Sequence, residues 1–248
     1  GYNNYNVAND QLVIDGKLNP AANLLYNDDW ADEAFSNQLR QEYQFSVQGG
    51  YEKTQYFMSL GYLDDKGYAK KSGFRRYNAR VNVDQEITSW FKTGFNLSYA
   101  NTEQNYPNSS TSAYANQFMF TQGIAPIYPV YLYDNQGNRQ YDKNGNVIYD
   151  FGTASEYGYA RAYGSNTNPI ATQALDKHDY QTDVFDGNAY MEVSFLKDFT
   201  FRTNLAYYVS NRKDMDYQNA LYGDAKNVGG RAYLYHYKRN VLTFNQLL

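Results

Sequence analysis

The residues of this chain that could do chemistry are few: two histidines, some paired aspartates and a set of charges at even spacing. His178 precedes Asp179, and His236 lies in a tyrosine-rich run. Neither stands at a recognisable spacing from a nucleophile that it could activate, and both read as structural or solvated. Asp28-Asp29 and Asp64-Asp65 read as helix caps and loop solubilisers rather than as an acid and base pair. The turns Asp134-Asn135-Gln136-Gly137-Asn138 and Asp142-Lys143-Asn144-Gly145-Asn146 raise the question of calcium. They lack the alternating acidic ligands and the distal glutamate of an EF-hand loop, and turn chemistry explains them. The chain has no cysteine, no phosphate-cradling glycine loop and no H-E-x-x-H helix. An enzyme is not expected, nor a metal or cofactor. A net charge of -4 and a pI near 5.2 argue against a nucleic-acid partner.

What remains is binding chemistry. Arg76, Arg80, Asp84, Asp186, Glu192 and Arg202 recur at even spacing, and Tyr128 and Tyr131 flank Pro129 in a segment that two prolines hold extended. Tyr128, Tyr131, Arg76 and Arg80 are therefore the candidate substrate-binding residues. The tyrosines offer stacking surfaces, although aromatic residues are no denser in that region than in the chain as a whole.

The elements that must position these residues are strands. From 41 to 101, four segments alternate with period two. Tyr43, Phe45 and Val47 alternate with Gln44, Ser46 and Gln48, and Tyr56, Met58, Leu60 and Tyr62 with Gln55, Phe57, Ser59 and Gly61. Tyr77, Ala79, Val81 and Val83 alternate with Asn78, Arg80, Asn82 and Asp84, and Phe95, Leu97 and Tyr99 with Asn96, Ser98 and Ala100. A hairpin follows through Phe185 to Phe195 and Phe199 to Val209, and then a last strand through Tyr233, Tyr235 and Tyr237 into Leu242 and Phe244. In that last strand the period slips near 238–240.

The polar face is mostly Asn, Gln, Ser, Gly and Arg, unlike the Lys- and Glu-rich surface of a soluble sandwich. It suits the wet lumen of a membrane barrel whose other face meets lipid, with aromatic girdles near Trp90, Phe91 and Tyr99. Mean hydropathy is -0.77 and no run of about 18 apolar residues exists, which excludes a helical span but not strands that cross a membrane. Seven strand-like segments are too few for a plugged barrel of about 22 strands. The expected fold is thus all-β: an antiparallel transmembrane β-barrel segment, incomplete, of about seven strands, with long extracellular loops. The chain reads as a fragment of a much longer protein, without a signal peptide or a plug domain.

Short and long connections alternate. Turns at 49–53, 87–90 and 196–198 are expected on the periplasmic side, and 64–73, 102–180 and 211–230 on the extracellular side. Residues 1–40 read as a rim loop with short helices over 20–26 and 28–39, the second capped by Asp28 and Asp29.

The run Gly49-Gly50-Tyr51-Glu52-Lys53-Thr54-Gln55-Tyr56-Phe57-Met58-Ser59-Leu60-Gly61-Tyr62-Leu63-Asp64, followed by Phe74-Arg75-Arg76-Tyr77-Asn78-Ala79-Arg80-Val81-Asn82, resembles the SusC/RagA family of TonB-dependent outer-membrane transporters. The likeness runs from Asp29-Trp30 to Tyr99 and, more loosely, through 125–131 and the later hairpin. It implies import of an oligosaccharide or peptide across the outer membrane of a Gram-negative, Bacteroidetes-like cell. It also implies a plug in the lumen, energy through TonB, and a SusD-like surface lipoprotein as lid. No TonB-contacting residue can be placed in this chain. For the charges, two readings stand: ion pairs that brace the wall or meet a plug, and the lining of a substrate path. For the whole, the alternatives are a secreted all-β binding module or adhesin, and an ordinary porin.

Overall fold

A computed structural model describes residues 2–107, 112–223 and 225–248; positions 108–111 and 224, inside the two longest connections, lie outside the described residues. A small hairpin of β1 (Val13–Ile14) and β2 (Lys17–Leu18) comes first, then helix α1 (Trp30–Ala34). The sheet follows: β3 (Arg40–Tyr51), β4 (Thr54–Lys66), β5 (Gly73–Thr88), β6 (Phe91–Asn105), β7 (Lys177–Phe195), β8 (Phe199–Gln218) and β9 (Arg231–Leu247). Helices α2 (Gln117–Gly123), α3 (Ala154–Tyr157) and α4 (Pro169–Leu175) lie between β6 and β7. The seven long strands form one antiparallel sheet in sequence order, unclosed, with β3 and β9 at its edges. No described helix is long and apolar enough to cross a membrane.

Pairing register carries one face across all seven strands. Val47, Met58, Val81 and Leu97 stand opposite one another in turn, and that rung continues through Gly187, Tyr207 and Leu242. Because opposed residues point the same way, Tyr43, Leu60, Val193 and Leu205 share this face. The other face carries Gln44, Asn82, Asn96, Glu192 and Asn204, as the period-two pattern requires.

Among the described residues no second sheet covers the apolar side. Leu60 is 62% exposed, Met58 45% and Leu205 46%. An apolar face of this extent left open suits a lipid surface, not the inside of a sandwich. On β8 the outward apolar positions run from Phe199 to Val209, which at a barrel tilt spans about 25 Å, the height of a bilayer's apolar band. Aromatic residues mark both borders: Tyr43, Tyr62 and Tyr77 in one rung, and Trp90 beside Phe91 with Phe195 beside Phe199 at the short-turn end.

Strands β7 and β8, of 19 and 20 residues, are about twice what a tilted crossing needs, so the wall continues beyond the apolar band at the long-connection end. This lengthening narrows the long links to 106–176 and 219–230, and the turns to 52–53, 89–90 and 196–198. The slip expected in the last strand is absent, since β9 pairs with β8 without a break from Arg231 to Leu247. Instead the apolar stripe changes face. Tyr233, Tyr235 and Tyr237 lie on the polar side above the band, while Leu242 and Phe244 lie on the outward side within it.

Gly94 shows how closely the polar side is packed. A Cβ there would stand 2.5 Å from Tyr190 Cε1, 2.6 Å from Asp84 Oδ1 and 2.8 Å from the Val83 carbonyl oxygen. Tyr190 crosses this gap to donate a hydrogen bond of 2.7 Å to Asp84. Gly94→Ala should displace that ring and the backbone beside it, at a cost of about 1–3 kcal/mol. The unfolding temperature of the sheet, followed by circular dichroism, should drop accordingly.

Candidate functional site

At the long-connection end the chain builds a second unit with its own core. Trp30, Ala34, Phe35, Ala69, Phe120, Val130, Tyr131 and Ile170 form that core, drawn from the N-terminal segment, the β4–β5 loop and the β6–β7 connection. The β8–β9 connection joins it as well. Asn219 donates from its backbone and its side chain to Asp176 Oδ1, at 2.7 and 2.6 Å, and Tyr222 stacks on Phe151 at 3.9 Å. The long links therefore share one end of the sheet.

Local sequence chemistry sets each corner of this apical unit. Asp29 caps α1, accepting from Ala31 and Asp32 at 2.8 and 3.2 Å. The helix is shorter than 28–39 because Phe35 turns extended to pair with Ala69. Asp28 is not a cap: its carboxylate accepts from the backbone of Val130 at 2.8 Å and from the Tyr133 hydroxyl. No helix forms over 20–26, where the chain bridges Tyr5 to Leu24 and Asn6 Oδ1 accepts from the Asn23 backbone at 2.7 Å. Backbone pairing with 4–6 wins there over helical propensity.

The Asp134 and Asp142 turns, which stand eight residues apart, belong to a three-cornered coil. Gln140 N donates to Leu132 O at 2.9 Å, Ile148 N to Gln140 O at 3.0 Å, and Leu132 N to Ile148 O at 2.9 Å, which closes the ring. Asp134 and Asp142 each turn a corner by accepting backbone amides, with Gly137 (φ 83°) and Gly145 (φ 80°) supplying the left-handed residue. Hydrogen bonds from Asn138 and Asn146 hold the two carboxyls below their ordinary range. No described group of three or more His, Cys, Asp or Glu residues could hold a metal.

After Tyr133-Asp134 and Tyr141-Asp142, a third Tyr-Asp step, Tyr149-Asp150, ends the coil on a buried carboxyl. Asp150 and Arg161 are both fully buried, with Nη1 and Oδ2 3.4 Å apart. Arg161 also donates to the carbonyls of Tyr163 and Gly164, both at 2.9 Å, and to that of Thr167. Its guanidinium lies 5.5 Å from the rings of Trp30 and Phe120. Asn168 bridges the carbonyls of Val130 and Asp150 at 2.9 and 2.8 Å and caps α4 through Ala171 N at 3.0 Å.

Burial pushes the Asp150 carboxyl up to about 8, with the Glu156 carboxylate adding to the effect, since Arg161 makes its shorter contacts to neutral carbonyls. A carboxyl raised in the folded state favours folding below its ordinary range and loses that contribution as pH climbs from about 4 to about 8. The apical unit should therefore melt lower at pH 8.5 than at pH 5, read by Trp30 fluorescence in a Trp90→Phe background. Asp150→Asn should flatten the dependence.

The structure does not bring the four candidate binding residues together. Tyr131 is buried in the apical core, its hydroxyl donating to Glu33 at 2.7 Å and Arg139 lying 4.1 Å over its ring. Tyr128 is half-buried, packs edge-on to Tyr2 at 4.8 Å and accepts Trp30 Nε1 on its carbonyl at 2.8 Å. Arg76 and Arg80 sit on the polar face of β5. Arg76 lies 3.5 Å from Glu42, and Arg80 stands between Ser59 and Ser98 with Asp186 one strand further. Arg202 pairs with Glu192 at 3.6 Å and covers Tyr190 at 4.2 Å, so part of the inner charge set does brace the wall. His178 faces Asp216 at 3.4 Å and stacks on Tyr106, while His236 is exposed on the outward face. Sequence reasoning missed Asp150, Arg161 and Asn168; the third Tyr-Asp step was the available signal.

No family model matches the chain. It is 28% identical over 172 residues to the TonB-dependent receptor SusC of Bacteroides thetaiotaomicron, which covers 68% of this chain and 17% of that protein. The TonB-dependent receptors P26 and P3 of Formosa agariphila are 26% identical over 188 residues (75% of this chain, 16% of theirs) and 24% identical over 229 (89% and 21%). Among solved structures, the RagAB peptide transporter superposes with a TM-score of 0.58 at 20% identity, over 78% of this chain and 20% of that one, a likeness of fold. The chain thus spans about a fifth of these relatives or less. They are receptors and a transporter by name, in keeping with a non-enzymatic, outer-membrane reading. Over a segment of their length, this chain is similar to SusC and other TonB-dependent receptors, and its unclosed sheet has the fold of a segment of barrel wall.

Proposed function

We propose that this chain is wall and outer apical unit of a protein that imports a nutrient across the outer membrane at the expense of TonB, the substrate being an oligosaccharide or a peptide. The observation that carries the reading is the two-faced sheet: an open apolar band on one side, an Asn-, Ser- and Arg-rich side on the other, in a chain related to TonB-dependent receptors. On this reading residues 1–40 and 102–180 face outside the cell, and a plug elsewhere in the parent protein fills the polar side and meets TonB. A SusD-like lipoprotein closes over the apical unit. Arg76 and Arg80, on the polar face, line the substrate path, while Tyr128 and Tyr131 hold the surface on which substrate or lid would rest.

Deleting 126–150 from the parent protein removes Val130, Tyr131 and the three-cornered coil, and with them the apical core. The barrel should still insert, while uptake and co-purification of the lipoprotein fall. Unchanged uptake together with an unchanged partner would overturn the proposal. Recovery of the parent protein from the soluble fraction without detergent would favour a secreted binding module.

A further inference from the structure

A cavity of about 150 Å³ opens in the apical unit between α1, the β4–β5 loop, α2, the coil and α4. Gln117, the first residue of α2, lines it at 3% exposure, and its amide nitrogen has no acceptor among the described residues. A buried amide left in that state costs about 1–3 kcal/mol, and leucine would fill the same space without that cost. Gln173 of α4 and the Tyr149 hydroxyl line the same cavity, half-buried, and neither makes a side-chain hydrogen bond among the described residues. Burial, and then the Glu33 carboxylate, push the Tyr149 hydroxyl up, so it keeps its proton.

The charged groups in the wall are already engaged. Glu33 accepts from the Tyr131 hydroxyl at 2.7 Å and pairs with Arg139 at 3.3 Å. Lys70 donates to the Asp32 carbonyl and Lys71 to the Ala174 carbonyl, both at 2.6 Å. The three groups left without a partner are neutral, and each of them both donates and accepts. A carboxylate only accepts and an ammonium only donates, whereas a hydroxyl does both. Ile170 and the Tyr149 ring add apolar surface for C–H groups. The volume equals that of about five water molecules, which suits a single polar ring.

We propose that this cavity binds one neutral sugar ring, whose hydroxyls bridge Gln117, Gln173 and Tyr149 and so tie α2, α4 and the coil together. The site belongs to the apical unit alone and does not depend on the import reading.

The test uses the parent protein in an amine-oxide detergent, which carries no sugar, and follows glucose, galactose and mannose by saturation-transfer NMR. At least one of them should bind with a Kd of about 1–10 mM, the range expected for a ligand of this size. Gln117→Leu and Gln173→Leu should each weaken that binding about tenfold. Neither should lower the melting of the apical unit, since each removes only an amide that the protein leaves unpaired. Three sugars that all fail to bind, binding that both variants keep, or stronger binding of glucuronate or glycylglycine would overturn the assignment. Each of these results leaves the import reading standing, because deletion of 126–150 tests that reading separately.

Discussion

Arg161→Met is expected to unfold the apical unit while the seven-stranded sheet persists. The substitution keeps much of the side-chain volume but removes the guanidinium donors to the carbonyls of Tyr163 and Thr167, and one of three donors to that of Gly164, from a side-chain site that is itself fully buried. Each buried acceptor left without a donor costs about 1–3 kcal/mol, a large share of the stability of a small unit. Arg161→Lys should rescue little, because one ammonium cannot replace a planar fork that serves three carbonyls and Asp150. Amide exchange should rise to the open-chain rate over α2 and α4 and stay slow in β4 to β8.

Trp30→Ala should be the other severe change, and it reaches across the chain. The indole is 3% exposed, packs on Phe120 at 5.0 Å, and donates from Nε1 to the carbonyl of Tyr128, 98 residues away. Emptying such a site costs about 3–5 kcal/mol, and the orphaned carbonyl adds to it. Because Phe120 is fully buried against the same ring, Trp30→Ala and Phe120→Ala should be strongly non-additive. A double-mutant cycle on apical unfolding checks this; additive losses would mean that the two rings stabilise separate structures.

The sheet was legible because period two is enforced at every rung, so four or five residues of alternation suffice to assign a face. Val47, Met58, Val81 and Leu97 stand in one row as their spacing requires. The last strand misled because its apolar residues switch sides where the wall leaves the lipid band, which alternation alone reads as a slip. The apical unit was not legible for a different reason. Its helices are 4 to 7 residues long, too short to show a 3.6 period, and its core joins residues about 100 positions apart. Asp28 and Asp29 illustrate the limit: local chemistry identifies Asp29 as a cap, while only the fold shows Asp28 accepting from Val130.

These 248 residues contain no cysteine, so the most direct test can be made in a parent protein whose cysteines elsewhere, where it has them, are replaced by serine. Single cysteines at Met58, Val81, Leu97 and Leu205, and at Asn82, Asn96, Glu192 and Asn204, can be spin-labelled in the parent protein reconstituted into bilayers. Collision rates with oxygen, which concentrates in lipid, and with a water-soluble nickel chelate then report the surroundings of each site. The first set should be accessible to oxygen and shielded from nickel, and the second set the reverse or protected from both, alternating residue by residue along β5 and β6. Equal nickel access on the two faces, or shielding of the first set from both reagents as inside a sandwich, would contradict the membrane-wall account.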